Sequence, residues 1–74
     1  MSKLRPEKPR DVIRKLRRLG FEGPFGGGQH LVMRHPQTGK KITVPMHKGR
    51  DIPIGTLRAI VREAGVDVKE WVNL

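Results

Sequence analysis

The chain has 74 residues, of which 16 are Lys or Arg and seven are Asp or Glu, so its formal net charge is +9. A chain this short supports one hydrophobic core, and we expect a single domain over residues 1–74. The absence of cysteine excludes disulfides and a thiolate zinc site. The charge favours nucleic acid as a partner, ahead of an acidic protein or an anionic membrane surface. No apolar run is long enough for a membrane span or follows the N-terminal charges as in a signal peptide, so we expect a soluble, cytoplasmic protein.

A helix is predicted over residues 9–19, after a short flexible lead over residues 1–7. Pro9 suits a first helical position, and Gly20 supplies a stop. Apolar residues recur at helical spacing between them, namely Val12, Ile13, Leu16 and Leu19. The other side of this helix is basic and is either a solvated face or a surface that contacts phosphates; the excess of basic residues favours the second. Its row consists of Arg10, Arg14 and Arg17, with Lys15 and Arg18 beside it.

Two short strands are predicted next, separated by three consecutive glycines. The first covers residues 21–25, and the glycines 26–28 that follow allow a ligand to approach the backbone closely. The second covers residues 30–35 and alternates in polarity. Leu31 and Met33 point to one face, and His30, Val32 and Arg34 point to the other.

A turn over residues 36–40 leads to a third strand over 41–44, which Pro45 ends. A second helix is predicted over 53–64, and Asp67 with Glu70 resembles a capping box that begins one more helical turn. The apolar stripe of the second helix consists of Ile54, Leu57, Ile60, Val61 and Ala64. This order predicts an α+β fold of two layers, in which two helices cover one face of a three-stranded antiparallel sheet.

The histidines His30, His35 and His47 are the side chains that exchange protons most readily near neutral pH. His30 follows the glycines directly, where a phosphate can approach. A histidine there can take the proton of a ribose 2′-hydroxyl as that oxygen attacks the adjacent phosphate, or it can protonate the leaving oxygen. Nearby Lys and Arg can stabilise the developing charge. The local sequence leaves open that His30 is an ordinary surface residue. We expect no metal and no cofactor, because the histidine spacing lacks a typical ligand pair.

The three aromatic residues have two possible uses. Trp71, Phe21 and Phe25 could stack on nucleobases. For Trp71 we favour packing of the C-terminal turn onto the core, because so small a domain needs every large apolar side chain.

Several short segments occur in an order that is typical of one family. They are Leu19-Gly20-Phe21, Gly28-Gln29-His30, Arg34-His35-Pro36, residues 43–49 and residues 54–60, followed by Ala64-Gly65. The most specific part is a Val-Pro-x-His stretch followed by a Gly-Thr-Leu-Arg helix. With these segments the sequence resembles the HicA-type, or YcfA-like, messenger-RNA interferase toxins.

The resemblance implies an α-β-β-β-α fold like that of a double-stranded RNA-binding domain. It also implies metal-independent cleavage of mRNA with His30 as the catalytic residue, inhibition of translation, and neutralisation by a HicB-type antitoxin. The family commonly has serine at position 29 and often a basic residue at 27, so Gln29 and Gly27 predict altered substrate contacts of this loop. The expected RNA-binding residues are Arg10, Arg14, Arg17, Gly28, Gln29, Arg34, His47 and Lys48.

Two other classes of function remain open from the sequence. One is a non-catalytic double-stranded RNA-binding module of the same fold, and the other is an adaptor whose basic face meets an acidic protein. The position of His30 after the glycines favours the enzyme, since a binding module needs no proton-exchanging group there.

Overall fold

The computed structural model describes residues 3–47 and 49–74, in which the helices and strands follow the predicted order. These elements are α1 (Pro9–Arg18), β1 (Glu22–Phe25), β2 (His30–Arg34), β3 (Lys41–Pro45), α2 (Ile54–Ala64) and α3 (Val68–Val72). Their ends differ from the predicted ones by one residue, a normal uncertainty for element boundaries. Pro45 is the last residue of β3 rather than the first after it, and β3 is an edge strand that tolerates proline.

The three strands form an antiparallel sheet in the order β1-β2-β3. Met33 on β2 is buried, which confirms the alternation predicted for that strand, and Ile42 and Val44 on β3 are buried on the same face of the sheet. His30 pairs with Pro45, and it shares its face of the sheet with Val32 and Arg34.

The helices cover the face of the sheet that carries Met33. α1 contacts β1 and β3, α2 contacts β3, and α3 packs on α2. The molecule measures only 16 Å along its shortest axis, and the described residues form no third layer over the opposite face. This confirms the predicted α+β arrangement of two layers with one open sheet face. None of the helices in the described residues is long and apolar enough to cross a membrane.

Most of the predicted apolar stripe of α2 lies in the core, but its first member does not. Leu57, Ile60 and Val61 are buried, whereas Ile54 is 39% exposed. Ile52, just before the helix, is buried and contributes to the core ahead of α2. Helical spacing therefore predicted the buried face correctly except at the first turn.

The described residues near both ends of the chain pack on the domain. We expected a flexible lead over 1–7, but Leu4 is buried and Glu7 forms an antiparallel bridge with Ile52. The Ile52 N–H donates to the Glu7 carbonyl oxygen at 2.7 Å. At the other end, the Asp67 side chain accepts a hydrogen bond from the Glu70 N–H at 2.7 Å, so the predicted helical cap is present. Trp71 in that last turn is fully buried, as expected.

Lys15 contradicts the prediction that it belongs to the basic surface of α1. It is buried, and its Nζ lies 3.1 Å from Oε1 of Glu7 and 5.4 Å from the ring centroid of Trp71. The indole Nε1–H of Trp71 donates to Oε2 of the same carboxylate at 2.8 Å. The three side chains, which we call the Glu7 cluster, join the N-terminal segment to α1 and α3.

Candidate nucleic-acid interface

His30 is the first residue of β2 and is exposed on the open face of the sheet. The loop before it is tied to the segment after β3, because the Met46 N–H donates to the Gln29 carbonyl oxygen at 2.6 Å. Within the described parts of the chain, no side-chain hydrogen bond holds the His30 ring. The ring is therefore accessible to a ligand.

The glycine loop leaves open space beside His30. Gly26 and Gly28 have φ angles of +87° and +77°, which glycine adopts without strain. A Cβ placed on Gly27 or Gly28 would meet no heavy atom within 4 Å. Gly28 and Gln29, both predicted to contact RNA, are exposed in this loop. A phosphate can thus reach the loop backbone without displacing side chains.

The other two histidines differ in their surroundings. The Nδ1 of His35 accepts from the backbone N–H groups of Gln37 and Thr38 at 3.2 and 3.4 Å, and its ring meets that of Phe21 edge-on at 5.1 Å. These contacts make His35 a structural residue of the turn between β2 and β3. His47 is exposed, and its carbonyl oxygen accepts from the Arg50 N–H at 2.9 Å.

A groove of about 610 Å³ lies between the start of α1 and the segment after β3. Basic and histidine side chains line it from both sides. They are Lys8, Arg10, His47 and Arg50, with Asp51 as the one acid among the described lining residues. Met46, whose N–H donates to the Gln29 carbonyl oxygen, also lines this groove, which therefore lies at the end of β3 that pairs with His30. We call it the basic groove.

Sequence reasoning singled out Arg10 and His47 but missed Lys8 and Arg50 as members of the basic groove. Their charge was visible in the sequence, but their proximity was not. It depends on the bridge between Glu7 and Ile52, which brings two distant segments together.

The arginine row of α1 continues from the basic groove. Arg10, Arg14 and Arg17 are all exposed, and together with Ile13 and Arg18 they line a second, shallower groove. Arg10 belongs to both grooves. The row predicted from helical spacing is therefore on the surface, except that the neighbouring Lys15 is buried.

One predicted RNA-binding residue, Arg34, lies away from the basic groove. Arg34 is on the same sheet face as His30, but four residues further along β2, which is roughly 13 Å at the rise of a strand. There it pairs with Glu22 on β1 and Lys41 on β3. Lys48 lies outside the described residues. Among the residues that are described, no three His, Asp or Glu side chains converge into a metal site.

These features define a small basic α+β domain that presents an exposed histidine next to a groove suited to anions. The family model of the HicA toxin of bacterial toxin-antitoxin systems matches residues 9–66. The chain belongs to this family, and the resemblance found in the sequence is confirmed. The match spans α1 to α2 and includes all the predicted site residues, while Glu7 and Trp71 lie outside it. Among curated proteins, none matches the chain.

Proposed function

We propose that this toxin is an endoribonuclease that cleaves mRNA in the cytoplasm, with His30 as its catalytic residue, and thereby inhibits translation. The observation that carries the proposal is the exposed His30 at the end of an open glycine loop, next to the basic groove. Metal-independent cleavage is part of the proposal because the family resemblance implies it.

The chemistry is an internal transesterification. The His30 imidazole takes the proton of a ribose 2′-hydroxyl, and the 2′-oxygen attacks the adjacent phosphorus. The bond from phosphorus to the 5′-oxygen breaks, which leaves a 2′,3′-cyclic phosphate on one product. The imidazolium then returns its proton to the departing 5′-oxygen, so the proton balance closes. Cations of the basic groove stabilise the extra negative charge on the phosphate.

The arrangement of the basic side chains supports a path for the RNA backbone. From His30 the strand would cross the basic groove, contacting His47 and Arg10, and then follow Arg14 and Arg17 along α1. Gly28 and Gln29 would contact the phosphate that is cleaved, and Lys48, outside the described residues, stays a predicted RNA contact. Arg34 would contact RNA only on the other side of His30, along β2.

The experiment that tests the proposal is RNA cleavage by the His30→Ala variant in the presence of a chelator. We expect no cleavage and no growth inhibition, with an unchanged melting temperature, because the exposed ring contributes little to packing. His47→Ala is the matched control, since it also removes an exposed histidine. It should weaken RNA binding while leaving cleavage measurable at saturating RNA.

Three other results would contradict the proposal. Cleavage by the folded His30→Ala variant at the wild-type rate would exclude His30 as the catalytic residue. A wild-type protein that binds RNA without cleaving it would be the non-catalytic binding module. A protein that neither binds nor cleaves RNA would favour the adaptor.

Toxins of this family belong to toxin-antitoxin systems, and we propose that the partner of this chain is a HicB-type antitoxin that covers His30. The net charge of +9 supports rapid association with an acidic surface. The open sheet face around His30 provides the accessible area that such a partner needs.

A further inference from the structure

We propose that Phe25 stacks on a nucleobase next to the phosphate that is cleaved, so that the protein selects RNA that is unpaired at the cleavage site. This inference rests on the proposed function and adds a substrate-binding residue that the basic groove does not contain.

The three aromatic side chains have very different exposures. Trp71 and Phe21 are 0% and 4% exposed, whereas Phe25 is 52% exposed. Only 35% of the chain is hydrophobic, so the core is thin, and an exposed phenylalanine forgoes stabilisation that burial would provide. Phe25 is the more exposed of the two large hydrophobic side chains on the described surface, the other being Ile54 at 39%.

Strand pairing places Phe25 next to His30. Phe25 pairs with Val32, and Val32 lies two residues after His30 on the same face. Diagonal neighbours across an antiparallel pair are about 7–8 Å apart, within reach of an aromatic side chain. The backbone geometry also places the two residues close together, because a Cβ added to Gly26, the residue after Phe25, would lie 3.7 Å from the His30 carbonyl oxygen.

The surroundings of Phe25 favour a nucleobase as the group that stacks on its ring. Every base has a π face that can stack on an exposed ring, and cations nearby hold the attached phosphates. Phe25 lies between the basic groove beyond His30 and Arg34 at the other end of β2. A base that stacks on Phe25 has left its own stack and its Watson–Crick partner, which requires a single-stranded segment or a loop.

The test measures binding and cleavage for Phe25→Ala and Phe25→Trp, with Ile54→Ala as the matched control. Cleavage is measured on an all-RNA oligonucleotide. Affinity is measured with the same sequence carrying 2′-deoxyribose throughout, which cannot be cleaved, as a single strand and as a duplex.

We expect Phe25→Ala to lose about 5- to 150-fold in affinity for the single strand, the range found for one base–aromatic stack. Its kcat/KM should fall similarly, while duplex affinity and melting temperature stay unchanged. Phe25→Trp should keep single-strand affinity, and its indole fluorescence should be quenched on binding, because the native Trp71 is buried. Ile54→Ala should behave as the wild type.

Failure of this inference is distinguishable from failure of the proposed function. If the wild type cleaves RNA and Phe25→Ala binds and cleaves equally well, the stacking role is overturned and the nuclease stands. If Phe25→Ala weakens only a complex with the antitoxin, Phe25 is a protein contact and the inference is also overturned. If the wild type binds the single strand without cleaving it and Phe25→Ala weakens that binding, the stacking role is supported and the nuclease activity is refuted. A wild type that does not bind RNA overturns both.

Discussion

Replacement of Glu7 by alanine tests whether the Glu7 cluster stabilises the fold. The carboxylate of Glu7 pairs with Lys15 at 3.1 Å and accepts from Trp71 at 2.8 Å. Its removal leaves a buried ammonium group without a counter-charge and an indole N–H without an acceptor. Both groups then carry a desolvation penalty that is no longer offset.

The expected loss is a large part of the stability. Breaking a buried ion pair from one side costs about 3–5 kcal/mol. The side chains of Lys15 and Glu7 retain 11% and 16% exposure, so water screens them slightly, and we expect the lower end, about 3 kcal/mol. A domain of this size has a free energy of unfolding of roughly 4–11 kcal/mol. The melting temperature should fall by about 12–24 °C.

The free energy of unfolding is measured by urea denaturation, followed by circular dichroism. Trp71 fluorescence is less suitable, because its baseline changes when the indole loses its hydrogen bond. Under the proposed function, production in the His30→Ala background avoids toxicity to the expression host. Glu7→Gln keeps an acceptor for the indole and should lose less stability than Glu7→Ala. Glu63→Ala removes an exposed carboxylate of α2 and should change the unfolding free energy by less than about 0.5 kcal/mol.

The double variant Glu7→Gln, Lys15→Met separates charge from packing. It removes both charges and keeps the acceptor, so it should be more stable than Glu7→Ala. A loss below about 1 kcal/mol for Glu7→Ala would refute the reasoning. The pair would then behave as a surface ion pair, and the packing of the N-terminal segment would have to rest on Leu4 and the bridge to Ile52.

Two further predictions concern the RNA and the antitoxin. Replacing Arg14 and Arg17 by alanine should flatten the slope of log affinity against log salt by about 1.4, since each phosphate contact on a single strand contributes about 0.7. Replacing Arg58 and Arg62 on α2 by alanine is the control, because it makes the same change in net charge. It should leave most of the slope of log affinity against log salt unchanged. Equal effects of the two pairs would show that α1 lies outside the RNA path. A HicB-type antitoxin should raise the melting temperature and protect His30 and residues 26–30 from chemical modification, because it binds only the native state. Loss of activity with His30 still reactive would show that inhibition works without occlusion.

Local pattern was sufficient for the framework of the fold. Helical spacing from Val12 to Leu16 and alternation around Met33 each depend on residues a few positions apart, and those repeats directly determine which side is buried. Gly20 ends α1, and the Asp67 cap begins α3, for equally local reasons. The exposure of His30 beside its glycines also followed from sequence order.

The tertiary structure decided which charged and aromatic groups lie on the surface. Lys15 was grouped with the exposed arginines of α1. A lysine can bury its aliphatic stem when its ammonium group pairs with a carboxylate, and here that carboxylate belongs to Glu7. The bridge to Ile52 holds Glu7 in position. Phe25 became distinct from Phe21 only through strand pairing and helix packing. These outcomes depend on contacts between residues far apart in the chain, and neither periodicity nor composition carries that information.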